Sequence, residues 1–71
     1  MKEGKIMSIK DALIMIRAEL NLSQTELAEK LNVSYASISR WEAGKVKPTK
    51  KALYNINKLC RENNIEIKVE E

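Results

Sequence analysis

Residues 22–44 read LSQTELAEKLNVSYASISRWEAG, and the order of caps and apolar residues in them decides the fold. Ser23-Gln24-Thr25-Glu26 is a capping box: a serine at the helix cap and a glutamate three residues on can each satisfy an amide that the helix leaves open. Leu27, Ala28 and Leu31 then give a short apolar face. Asn32-Val33 breaks the pattern, and Ser34 can cap a further helix that turns Ile38 and Trp41 inward. Gly44 is a natural C-terminal stop. The expected helices cover 24–31 and 35–43. Helices this short are marginal alone, so they must be held by packing. The pattern describes two helices crossing steeply through a tight turn at Asn32. Ala28 is small enough for close approach, and Val33 and Ile38 fill the angle.

Upstream, Ser8 caps a helix expected at about 8–20, with Asp11 in its first turn. Ile9, Leu13, Ile16 and Leu20 recur at spacings that bury one face. Asn21 tolerates the left-handed backbone that ends helices. Downstream, Pro48 biases Lys47 toward an extended conformation. Thr49 can cap a fourth helix carrying Ala52, Leu53, Ile56, Leu59 and Cys60, ending near Asn63-Asn64. Ile65-Glu66-Ile67-Lys68-Val69 alternates apolar and charged residues with β-branching, which is a strand signal. Such a strand needs a partner. It pairs with another copy, pairs with Lys5-Ile6-Met7, or continues as helix or tail. The expected division is an arm at 1–7, a helical domain at 8–64 and a strand or tail at 65–71.

The chain of 71 residues is one small domain, which buries only about 60% of the surface that its unfolded form exposes. Apolar residues at 44% and charged residues at 32% are the balance of a folded domain and not of a disordered tail. There is no histidine, which removes the commonest general base and metal ligand. No carboxylate pair or phosphate-binding loop stands in a recognisable context, so no catalytic residue, metal or cofactor is expected, and the chain is read as not an enzyme. Cys60 is the only cysteine, which rules out an internal disulfide and suggests a reducing compartment; it reads as a small buried hydrophobe. The longest apolar run, Ala12 to Ile16, is far short of the roughly 20 residues that span a bilayer. The N-terminus lacks a secretory pattern, so a cytoplasmic location is expected.

Net charge is +3, but its distribution is uneven. Residues 1–33 balance to zero; residues 34–61 carry Arg40, Lys45, Lys47, Lys50, Lys51, Lys58 and Arg61 against Glu42 alone; and residues 62–71 are acidic. A basic middle followed by an acidic end is the asymmetry to be explained.

The run Leu22 to Ser34, then Ile38-Ser39-Arg40-Trp41-Glu42-Ala43-Gly44-Lys45 and Pro48, resembles the helix-turn-helix of Cro/C1-type (lambda-repressor-like, XRE) DNA-binding domains. The likeness covers roughly residues 9–63. It implies an all-α fold, a compact bundle of four or five short helices with a central helix-turn-helix, plus a short C-terminal strand or tail. It also implies that the helix at 35–43 enters the major groove. Tyr35, Ala36, Ser39 and Arg40 then face bases, Arg40 being suited to bond two acceptors of one guanine. Gln24 corresponds to a glutamine that bonds a phosphate, although extra capping is an alternative role. Ser34 and Ser37 can donate to phosphates, Ser34 equally being only a cap. Lys45 and Lys47 fall where the family contacts the backbone. Lys50 and Lys51 extend that track or form a plain solvated face. Arg17 and Glu42 match a structural ion pair, and an unpaired Glu42 would repel DNA. Trp41 reads as core filler, and Tyr54 as exposed or part of a dimer surface. Asn21 and Asn32 stand where many members have glycine, and the usual fifth helix is replaced by Ile65–Glu71.

The resulting expectation is a sequence-specific, double-stranded-DNA-binding transcriptional regulator, a repressor of prophage or toxin–antitoxin type. It would act as a homodimer on a two-fold operator, with the strand at 65–69 pairing antiparallel across the axis and with a toxin as a candidate protein partner; no membrane is involved. The competing expectation is a protein-interaction adaptor or coactivator that keeps the fold without reading bases.

Overall fold

The structure, a computed structural model, describes residues 5–69. Four helices lie between two short strands: β1 (Lys5–Met7), α1 (Ile9–Leu20), α2 (Gln24–Leu31), α3 (Tyr35–Glu42), α4 (Lys50–Glu62) and β2 (Ile67–Val69). All four helices start on a hydroxyl cap. Ser8, Ser23, Ser34 and Thr49 each accept from an amide three residues on. At α2 the cap is reciprocal: the Glu26 amide bonds Ser23 Oγ at 3.0 Å, and the Ser23 amide bonds Glu26 Oε1 at 2.8 Å. Each such cap stabilises its helix by about 1 kcal/mol.

The helix ends depend on left-handed residues. Asn21 and Asn32 have φ of 56° and 58°, so asparagine adopts the backbone that glycine would otherwise supply. Asn32 donates its amide to the carbonyls of Ala28 and Glu29, and Val33 donates to Ala28 at 2.9 Å. This closes α2 and aims the chain at the cap of α3 within two residues. After α3, Ala43 remains in the right-handed region and Gly44 takes φ 76°.

Each helix contributes one face to a single core. Ala12, Leu13 and Ile16 come from α1, Leu27, Ala28 and Leu31 from α2, Ile38 and Trp41 from α3, and Ala52, Ile56 and Cys60 from α4. The bundle is therefore closed by α3 packing on α1 and α2, and by α4 packing on α2 and β2. Burial pushes the Cys60 thiol up from its ordinary pKa, which keeps it protonated and in a packing role.

Of the pairings open to the Ile65–Val69 segment, the structure has the one with Lys5–Met7. β1 and β2 run parallel, with Lys5 opposite Ile67, Ile6 opposite Lys68 and Met7 opposite Val69. Parallel strands need a long crossover, and here the four helices are that crossover. Ile67 is buried in the core and Met7 packs at its margin, so the sheet caps the end of the bundle.

An added Cβ at Gly44 would meet nothing within 4 Å, so its positive φ, and not space, is what calls for glycine. Gly44→Ala is expected to lower stability by about 1 kcal/mol. Gly44→Asn should cost less, because this chain already uses asparagine in that conformation. Urea unfolding midpoints of the two variants compare them directly.

Candidate nucleic-acid interface

The helix α3 presents one polar side to solvent because its apolar side is taken up by the core. Ile38 is fully buried and Trp41 is 7% exposed. A helical turn away, Tyr35 is 54% exposed, Ala36 and Arg40 are exposed, and Ser39 is half-buried. These four residues share the outward surface. Ser34 and Ser37 stand at its N-terminal end with their hydroxyl oxygens 3.0 Å apart, and Ser34 also accepts the Ser37 amide at 3.1 Å. One hydroxyl hydrogen is spent between the two oxygens, so the pair keeps one hydroxyl hydrogen to donate outward. Lys45 and Lys47 are exposed on the loop after α3, and Lys50 and Lys51 are exposed on the first turn of α4. The cations thus follow the outward face of α3 along the chain.

Glu42, the last residue of α3, points the other way. It is 8% exposed and receives three hydrogen bonds. Arg17 approaches it as a fork, Nε donating to Oε2 at 2.8 Å and Nη2 donating to Oε1 at 2.9 Å. Gln24 Nε2 donates to the same Oε1 at 2.9 Å. The Arg17 guanidinium also reaches the Leu22 carbonyl at 3.5 Å. Hydrogen bonding to Glu42 holds the Arg17 pKa above its already high ordinary value, with burial opposing the shift and the neighbouring charge adding to it. A bidentate pair of this kind has fixed direction as well as strength. It joins α1 to the end of α3, and Gln24 brings in the start of α2.

A sequence profile described as helix-turn-helix matches residues 13–63. The chain belongs to the helix-turn-helix family. It is 42% identical over 53 residues to the HTH-type transcriptional activator BcrR of Enterococcus faecalis, an alignment covering 75% of this chain and 26% of that protein. It is 35% identical over 59 residues to the HTH-type transcriptional regulator DicA of Escherichia coli (strain K12), covering 83% of this chain and 44% of that protein. The chain therefore spans less than half the length of either relative. No solved structure matches it at comparable significance.

Within this helix-turn-helix the bond from Gln24 to Glu42 is the feature that the sequence did not announce. The two residues lie 18 positions apart, and no periodicity links them; only the steep return of the chain through Asn32 brings them together. The residues named from the sequence divide into two groups. Tyr35, Ala36, Ser39 and Arg40 share the outward side of α3, flanked by Ser34, Ser37, Lys45 and Lys47. Arg17, Gln24 and Glu42 meet underneath. Gln24 thus sits with the ion pair, and its carbonyl oxygen and second amide hydrogen are not used in that contact. Among the described residues no group of histidine, cysteine or carboxylate side chains could hold a metal ion, and no helix is long and apolar enough to cross a membrane.

Removing the guanidinium would leave Glu42 buried with Gln24 as its one remaining side-chain donor. Arg17→Ala is expected to destabilise the fold by about 2–4 kcal/mol and to loosen α3. An unchanged melting temperature would contradict this account of the network.

Proposed function

We propose that this chain is a sequence-specific DNA-binding transcriptional regulator that places α3 in the major groove. The observation that carries this reading is the charge arrangement around α3. Its one acid, Glu42, is turned inward and held by Arg17, while Tyr35, Ala36, Ser39 and Arg40 face outward. A helix with small and polar outward residues fits the width of the major groove. Arg40 is the principal base reader, with Ala36 placed for a thymine methyl and Tyr35 for a base or a phosphate. Lys45 and Lys47 track the backbone, joined at the opposite end of α3 by the Ser34–Ser37 pair, which has one hydroxyl hydrogen to give a phosphate. Gln24 lies at the start of α2, where a helix N-terminus favours a phosphate. Bound there, its free amide hydrogen would meet the phosphate while the other stays on Glu42. This makes Gln24 a phosphate donor whose direction is set by the ion pair.

One domain of this size makes few base contacts, and pairing two of them raises specificity. The proposed active form is therefore a homodimer on a two-fold operator, acting as a repressor in the cytoplasm by occluding a promoter. Support for a strand-mediated dimer comes from the sheet itself. It has two strands among the described residues, so each keeps one edge without a strand partner. Antiparallel addition through the β2 edge would join two such sheets across the axis. A reporter carrying the selected site over its promoter should lose expression when the protein is supplied; a rise would overturn the repressor reading.

Selection of bound fragments from random DNA should return a two-fold motif with half-sites about one helical turn apart. Arg40→Ala is then expected to lose about 1–3 kcal/mol of discrimination at one base pair per half-site, with the rest of the motif unchanged. Affinity should fall steeply with salt as phosphate counterions are released. Failure to enrich any motif, together with salt-independent binding, would overturn the reading. Sedimentation that stays monomeric at every concentration, with and without the selected site, would remove the dimer.

A further inference from the structure

The exposed side of α4 carries a second charged surface that DNA reading leaves unused. Tyr54 is 59% exposed, and Lys58 and Arg61 follow it at helical spacing, both exposed, so the three form one stripe. Beside the stripe a shallow groove of about 220 Å³ runs between the end of α2 and the last turns of α4. Half-buried Leu59 is its accessible apolar part, with Leu31 buried beneath; Asn32 and Asn55 complete a mostly polar lining, Lys30 and Lys58 stand on its α2 and α4 sides, and Glu62 lies on it from the last turn of α4. Because α4 is anchored through α2 and β2 while α3 packs on α1 and α2, this face is separate from the outward face of α3.

We propose that this surface docks an acidic segment of a protein partner, one that also offers apolar side chains. Three cations, Lys30, Lys58 and Arg61, stand here against the single acid Glu62, so the complementary surface is acidic. A phosphate backbone would use the cations but gain little from Tyr54 and Leu59, and it would meet Glu62. A polypeptide uses both parts, and exposed tyrosine and arginine on one stripe are residue types that protein interfaces favour. A partner seated here leaves α3 free, and the docking does not depend on whether α3 reads DNA.

The test titrates the isotope-labelled full chain with a short synthetic helix of glutamate and leucine at amphipathic spacing, followed by amide chemical shifts. Polyglutamate and a DNA duplex serve as parallel probes. Saturable shifts are expected at Tyr54, Lys58, Arg61 and the end of α2, and not in α3. The double variant Lys58→Glu/Arg61→Glu should weaken peptide binding at least about tenfold, and Tyr54→Ala should weaken it independently. Both change exposed positions, and thermal melts verify that the variants stay folded. Absence of saturable shifts on α4, or unchanged affinity after the double charge reversal, overturns the proposal. Equal binding of polyglutamate or duplex at the same amides would make the face a general polyanion surface and overturn it equally. Shifts that grow with protein concentration alone would assign the face to a second copy.

Discussion

The buried carboxylate of Glu42 is the constraint on which the placement of α3 depends. A carboxylate removed from water is strongly unfavourable unless its oxygens are fully engaged. Here the engagement comes from two other helices, through Arg17 on α1 and Gln24 on α2. The requirement to satisfy one side chain therefore fixes where three helices meet. Apolar packing alone would not set the rotation of α3 about its axis so narrowly, because Ile38 and Trp41 are non-directional contacts. The fork of Arg17 supplies the direction. It also settles an electrostatic matter, since the only acid in the basic middle of the chain is compensated underneath and the exposed surface keeps its cations.

Much of this was legible in the sequence because local chemistry and tertiary structure agree. The helix starts were visible in Ser8, Ser23, Ser34 and Thr49, since a hydroxyl cap acts over three residues and needs no distant partner. The stops at Asn21 and Asn32 were readable for the same reason: the left-handed conformation is a property of one residue. The outward side of α3 followed from where Ile38 and Trp41 must go. The pairing of β1 with β2 was one option among several, because three-residue strands at opposite ends of a chain have no sequence signal for register or direction. The Gln24–Glu42 bond was not visible at all. Its geometry exists only after the turn at Asn32 and the packing of Ala28 have been made.

A domain of this size holds little in reserve. Its core draws residues from all four helices and from β2, so no element can be removed without opening a face of another. The same economy explains why capping is so regular. Where hydrophobic burial is limited by length, each helix end that would otherwise leave amides open matters in proportion.

The parallel direction of the two strands has a mechanical consequence. In a parallel pair both strands point the same way, so a pull on the start of β1 and on the end of β2 acts in opposite senses along the strand axis. Such a load would slide β1 along β2 and not peel them apart. In sliding, the hydrogen bonds between strands share the load and must break together. In peeling, they would break one at a time. The short sheet would therefore meet such a load in shear, with its bonds acting together.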